Sequence, residues 1–210
     1  GVVFHLGASI AAVETEDDAV TAVALADGTR LEADAVIVGV GAAPRLSLAV
    51  GADLEVDNGV VVGESLQTSD PDIVAVGDIA HHRHPVLGQL VRVEHWANAL
   101  NQPAVAAATM LGSPTPYTEL PYFFTDQYDL GMEYVGYAPP GSYSRVVVRG
   151  DLDTREYIAF WLDSDGRVLA GMNVNVWDVV DDVKRLILAK TPIDADRLAD
   201  PSVALSDLLS

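Results

Sequence analysis

The sequence predicts an α/β chain closed by a separate α+β module. Three observations lead there: an apolar run, Ala35 to Val38, that ends in Gly39-Val40-Gly41-Ala42-Ala43-Pro44; a second run, Ile73 to Val76, that delivers Gly77-Asp78; and alternating segments beyond Ser113-Pro114-Thr115-Pro116 that finish in one helical stretch. Open α/β sheets bind ligands at the carboxyl ends of their strands, where glycine lets a ligand come close. Two prolines two residues apart cannot continue a helix or a central strand, so a new module of strands and a helix begins behind them.

From Gly1 to Val38 three extended segments are expected: Val2 to Leu6, Val20 to Leu25 and the buried run Ala35 to Val38. The acidic turn Glu14 to Asp18 and the pair Asp27-Gly28 separate them, which makes a small β-meander followed by one buried strand. Arg45 to Val50 is a short helical turn closed by Gly51, and Leu54 to Val62 alternates around Asp57-Asn58-Gly59. Thr68 to Asp72 is a turn cluster, Ile73 to Val76 a four-residue strand, and His81 to Pro85 a solvated loop. Glu94 to Leu111 is an alanine-rich helix ended by Gly112, in which Pro103 removes a hydrogen bond or adds a kink. Beyond the prolines, strands fall near Leu130 to Val135, Tyr143 to Val148, Tyr157 to Leu162 and Val168 to Val176, with a tight turn from Asp163 to Gly166. Asp178 is placed to cap a helix from Val179 to Ala189.

Composition narrows the function. At 210 residues and 50% hydrophobic, the chain can fill one large core or two modest ones. No apolar run approaches the roughly 20 residues that cross a bilayer, and no signal segment opens the chain, so a cytoplasmic protein is expected. The absence of cysteine excludes a disulfide, a thiolate zinc site, an iron–sulfur cluster and a redox-active thiol pair from this stretch, so any electron transfer needs a bound organic cofactor. A net charge of -19, from 31 acidic and 12 basic residues, repels phosphate backbones and anionic lipid and speaks against nucleic-acid or membrane partners. The chain opens on Gly1-Val2-Val3-Phe4 without an initiator methionine, which reads as the start of a fragment.

Two segments carry chemistry. Gly39-x-Gly41-x-x-Pro44 has the look of a dinucleotide turn, although proline stands where a third glycine belongs, and on spacing alone a plain chain reversal explains it equally. Thr68 to Asp78 is more specific: a strand presents Asp78 at its carboxyl end behind Gly77, and a carboxylate there accepts hydrogen bonds from hydroxyl donors such as a sugar alcohol chain. A helix cap after a strand is the plain alternative. His81, His82 and His84 are close enough to suggest a metal site, yet nothing completes a ligand shell, and Asp163-x-Asp165-Gly166 is a hairpin turn rather than a calcium loop.

Taken in order, Ala33 to Pro44, Thr68 to Asp78 and Arg92-Val93-Glu94-His95-Trp96-Ala97-Asn98-Ala99 resemble the two-dinucleotide-domain flavoprotein reductases. Among these the sequence is most similar to the ferredoxin reductases of oxygenase systems and their relatives related to apoptosis-inducing factor, because Pro121 to Leu130 resembles the aromatic opening of that family's carboxyl-terminal domain. The resemblance implies a remnant of two dinucleotide-binding domains, residues 1–44 from the NAD(P) domain and 45–113 from the FAD domain, followed by a reductase and dimerisation-like domain over 114–210. It implies FAD and NAD(P)H as cofactors, hydride transfer to the flavin, and a ferredoxin-like electron acceptor. Asp78 would bond the ribityl chain, Glu94, His95 and Trp96 would face the flavin's pyrimidine side at a helix start, Gly39 and Gly41 would lie beside the nicotinamide nucleotide, and Phe124 would lie near the ring. The positive end of that helix would favour the charge of a reduced flavin. No side chain is expected to act as acid, base or nucleophile.

Tyr122 and Phe124 depart from the resemblance, standing where tryptophans are frequent. Both glycine-rich fingerprints that hold the two dinucleotides are missing, so weak or no FAD binding is expected of the chain by itself. A thiol–disulfide reductase or other NADH oxidase of the same superfamily is the related alternative, and a non-catalytic docking or dimerisation module is the alternative of a different class. The charge of -19 conflicts with an acidic ferredoxin unless arginines such as Arg83 and Arg92 cluster locally.

Overall fold

A computed structural model describes residues 1–209, which divide into two compact units, residues 1–43 and the chain from Pro44 on. The first unit is an antiparallel meander of β1 (Ile10–Glu16), β2 (Ala19–Leu25) and β3 (Arg30–Glu32). Asp17 and Asp18 both take positive φ, 50° and 64°, and this reversal sets the register that pairs Glu16 with Ala19. The second reversal uses Gly28 at φ 89°, with the Thr29 N–H donating to Asp27 Oδ1 at 2.8 Å.

The meander therefore forms around the turns and not at the first apolar run. Val2 to Leu6 is exposed coil, and the first strand is Ile10–Glu16, because only residues flanking the Asp17-Asp18 reversal can pair across it. Ala35 to Val38, expected as a buried strand, is also coil, with Ile37 98% exposed. Among the described residues no strand pairs with it, and an apolar run becomes a strand only where a neighbour takes its backbone hydrogen bonds.

The second unit opens with α1 (Ser47–Gly51) and a three-stranded sheet of β4 (Val60–Val62), β5 (Ala80–His84) and β6 (Gln89–Val91), β4 and β5 being parallel. Between β4 and β5 runs a 3-10 turn, Gly77–Ile79. Ile73 to Val76 leads into that turn in extended form, with a single bridge from Val74 to Gln67 and no full strand. The histidines are not in a solvated loop. They lie in β5 and are buried: His81 Nδ1 meets the Asp57 carbonyl, His82 Nε2 the Glu64 carbonyl at 3.3 Å, and His84 Nε2 the Glu119 carbonyl at 3.0 Å. Carbonyl partners satisfy the rings, which makes a strand of polar residues tolerable in a core. No group of histidines and carboxylates among the described residues could hold a metal.

Helix α2 (Trp96–Met110) follows, with Pro103 inside it. Residues 113–121 contain no element. Then come β7 (Tyr122–Gln127), β8 (Leu130–Gly136), β9 (Arg145–Asp151), β10 (Glu156–Leu162) and β11 (Val168–Val174), an antiparallel sheet in the order β7-β8-β11-β10-β9. Only β7 was not foreseen, since its Tyr122-Phe123-Phe124 triplet does not alternate. Helix α3 (Val180–Ala189) packs Val183, Leu186 and Ile187 against the core of Phe160, Leu162 and Val135. Asp178 does not cap it: Val179 is the N-cap and no side chain bonds the first turn. At φ 62° Asp178 is in a left-handed corner, not the extended conformation a capping residue needs. The side-chain cap belongs to the short α4 (Ala195–Ala199), where Asp194 accepts from the Asp196 and Arg197 amides.

Candidate functional site

The amino end of α2 is open. His95 is its N-cap, in extended backbone with no side chain bonding the first turn, so amide donors and the positive end of the helix face outward. The turn that bears Asp78 is fastened to the same helix. Gly77 N–H donates to the buried Gln102 Oε1 at 2.7 Å, and the position of a Gly77 Cβ would lie 3.8 Å from Ala99. At φ 75° Gly77 makes this turn without strain. Arg92 braces the other side, donating to the Asp78 carbonyl at 3.0 Å and to Glu94 Oε1 at 2.8 Å. The Asp78 carboxylate is exposed and makes no ion pair with the described residues.

A cleft of about 550 Å³ lies at this helix mouth, lined by Glu94, His95, Trp96, Leu100, Tyr122 and Phe124 among others. Trp96 is 70% exposed and Phe124 53% exposed, so aromatic faces border the cleft without filling it. The His95 ring meets Phe123 in a tilted arrangement, 4.9 Å between centroids, and Phe123 stacks on Tyr134 at 4.9 Å. The His95 Nδ1 is buried with no hydrogen-bond partner among the described residues. Burial pushes the His95 pKa down, and the nearby Asp78 and Glu94 carboxylates push it back up. A buried nitrogen without a partner is costly and marks a place where a ligand atom would relieve it.

Five of the expected residues thus converge: Glu94, His95, Trp96 and Phe124 line the cleft, and Asp78 acts electrostatically on His95 from the adjoining turn. Gly77 holds that turn, so it supports the site through the backbone. Gly39 and Gly41 lie in the first unit, in exposed coil with nothing within 4 Å of a Cβ placed on either, and Gly41 has φ 84°. Pro44 begins the second unit and lines none of the clefts at the mouth of α2. Leu100 and Gln102 were missed. Leu100 could have been found, since it follows Trp96 by four residues and shares its helix face.

The arrangement suits a flat, mostly apolar group. Aromatic faces border it, helix amides can meet an electron-rich edge, and the Asp78 carboxylate can accept from hydroxyls. These features fit a flavin.

Comparison with known proteins gives the chain's family. Residues 1–103 match the family described as pyridine nucleotide-disulphide oxidoreductase, and residues 122–209 match the family described as reductase C-terminal. The chain is 42% identical over 179 residues to the ferredoxin–NAD(+) reductase component of the anthranilate 1,2-dioxygenase system of Burkholderia cepacia, covering 85% of this chain and 44% of that protein. It is 39% identical over 212 residues to putidaredoxin reductase of Pseudomonas putida, covering 100% of this chain and 50% of that protein. Its structure superposes with a TM-score of 0.88 on the ferredoxin reductase for the CYP199A2 system from Rhodopseudomonas palustris, at 32% identity over 98% of this chain and 50% of that one. The chain spans about half the length of the curated relatives it matches.

Proposed function

We propose, for a chain that belongs to the pyridine nucleotide-disulphide oxidoreductases and is homologous to their ferredoxin reductases, that it forms the carboxyl-terminal part of an FAD-dependent, NAD(P)H-oxidising reductase. The observation that carries this reading is a cleft bordered by aromatic faces at an uncapped helix end, with the exposed Asp78 carboxylate on the turn fastened to the same helix. When bound, FAD supplies the exchange between a two-electron nicotinamide donor and a one-electron, ferredoxin-like acceptor.

In this reading the chain's own residues orient the cofactor. Asp78 accepts from its hydroxyl chain, the α2 amides and His95 meet its polar edge, and Trp96 and Phe124 shield its ring from water. Gly39 and Gly41 leave backbone room for the nicotinamide nucleotide, with Pro44 directing the chain out of that turn. Residues 1–44, 45–113 and 114–210 are then the NAD(P) part, the FAD part and the reductase domain. A cytoplasmic location and a homodimer through residues 114–210 belong to the same proposal. Among the described residues no helix is long and apolar enough to cross a membrane.

The test is anaerobic addition of NADH or NADPH to a polypeptide that carries this chain at the length of its relatives. Bleaching of flavin absorbance supports the reading, and Asp78→Ala should purify with less flavin. A colourless protein sinks it.

A further inference from the structure

The cleft at the mouth of α2 shares two of its walls with a second hollow. Tyr122 and Phe124 also line a space of about 250 Å³ beside β7, together with Met132, Glu133 and Trp177. Strand register explains why these side chains meet. Across β7 and β8, Tyr122 pairs with Val135 and Phe124 with Glu133, and across β8 and β11, Glu133 pairs with Asn173. Directly paired residues of neighbouring strands share a face, as do residues two apart along one strand. Tyr122, Phe124, Glu133, Val135 and Asn173 therefore stand on one face, the one whose Val135 packs into the core.

A carboxylate is costly on this face. Val135 and Asn173 beside it are buried, and packing alone would favour an apolar side chain at position 133. Glu133 instead has both oxygens engaged by neutral donors: Tyr122 Oη donates to Oε1 at 2.8 Å and Asn173 Nδ2 to Oε2 at 2.8 Å. Asn173 Nδ2 donates also to the Val176 carbonyl at 2.7 Å, so both hydrogens of that amide are engaged and its orientation is fixed. Among the described residues no Lys, Arg or His nitrogen lies within 4.0 Å of Glu133. A carboxylate only accepts, so Tyr122 must be the donor and its phenol must keep its proton. Burial pushes the Tyr122 pKa up to about 12, and the hydrogen bond and charge of Glu133 push in the same direction.

We propose that Glu133 is a positioning residue of the α2 cleft: anchored by Asn173, it draws the Tyr122 hydroxyl into the hollow beside β7, so that the ring of Tyr122 and not its oxygen faces the cleft. The purpose rests on the flavin reading, whereas the hydrogen bonds do not. Glu133 lines the hollow beside β7 and not the cleft, while Tyr122 lines both, which sets the direction of the pull. At the cleft the difference is one of chemistry. A flat apolar ring borders a cofactor without bonding it, and a free phenol would compete with the α2 amides for the same electron-rich edge. Phe124 has no hydroxyl to hold, and its ring centroid lies 6.5 Å from that of Tyr122, so fixing Tyr122 also limits where Phe124 can rest.

Two readouts test the proposal, the first without flavin. A fluorinated tyrosine, whose phenol ionises closer to neutral pH, is placed at position 122 of the chain and titrated by fluorine NMR. Glu133→Leu should make that phenol ionise about tenfold more readily, because the carboxylate that disfavours the phenolate is gone. Glu133→Gln keeps an acceptor for the phenol and should leave its low-pH resonance near the parent position, whereas Asn173→Leu, which removes the anchor, should move it. Glu133→Met takes the place of Glu133→Leu if that variant does not fold. The second readout is the flavin absorbance band of a polypeptide at the length of the relatives. Glu133→Leu should shift the band and Glu133→Gln should restore it, while in a Tyr122→Phe background, where no hydroxyl exists to be held, Glu133→Leu should leave it unmoved. A band shift that persists in the Tyr122→Phe background would make Glu133 a merely structural residue and overturn the proposal. A colourless parent at that length refutes the cofactor reading, whereas an unchanged titration in Glu133→Leu with a coloured parent refutes this one.

Discussion

In β5 the rings of His82 and His84 lie 5.3 Å apart and edge onto Tyr117, with carbonyl oxygens rather than carboxylates as their hydrogen-bond partners. Burial lowers the His82 pKa from 6.5 to about 4 and moves His84 in the same direction. The unfolded chain takes up these protons from about pH 6.5 downward and the folded chain does not, so the unfolded state binds more protons between pH 6.5 and about 4. Stability is therefore full above that window and falls as pH drops through it, by roughly 3 kcal/mol for His82 at about 1.4 kcal/mol per pKa unit. Thermal melts across this range check it: His82→Gln should flatten the acid slope, and an unchanged slope would show that His82 is not its source. The sequence alone could not show this burial, because the carbonyls that meet His82 and His84 lie 18 and 35 residues away. Asp78, Glu94, His95 and Trp96 were legible because each stands in a short contiguous segment with a motif's order. Gln102 was not, since a buried glutamine in an alanine-rich helix shows no local sign of the amide it must accept.

Helix ends and sheet crossings show where individual elements derive their stability. Asp194→Ala should lower the urea unfolding midpoint, because its carboxylate holds two amides at the start of α4. A loss no larger than that of a solvent-facing aspartate such as Asp153 would mean the cap contributes nothing. Gly171 is where β11 passes under α3: a Cβ there would meet Val183 Cγ1 at 2.5 Å. Gly171→Ala should therefore destabilise by about 1–3 kcal/mol as the helix is pushed off the sheet, again read from urea midpoints. Strands β8 to β11 were readable because each holds a short run rich in apolar residues bounded by turn residues. Ala35 to Val38 and Ile73 to Val76 are just as apolar yet form no strand, since strand formation depends on a neighbour and not on composition. The misplaced cap has a similar origin: Asp178 and Asp194 both precede helical runs, and only backbone conformation separates the one that caps from the one that turns a corner.

Across the whole chain, 31 carboxylates against 12 cations make self-repulsion a general term against folding. Raising sodium chloride from about 0.05 M to about 0.5 M shortens the screening length well below about 10 Å and should raise the melting temperature by a few degrees. A fall instead would mean that surface ion pairs such as Arg30 with Glu14 outweigh the repulsion. The antiparallel sheet from Tyr122 on was readable as strands behind the proline punctuation, whereas the aromatic hollow beside β7 was not, since it joins side chains from β7, β8 and the loop before α3. Tyr122 and Phe124 wall two hollows at once, that at the mouth of α2 and that beside β7. Whatever occupies the first hollow and changes how those rings rest must alter the free energy of occupying the second, and linkage makes the influence mutual and equal in size. A ligand of the first hollow that tightens binding in the second by some factor should thus be held more tightly by that same factor once the second is filled, so the two titrations check each other.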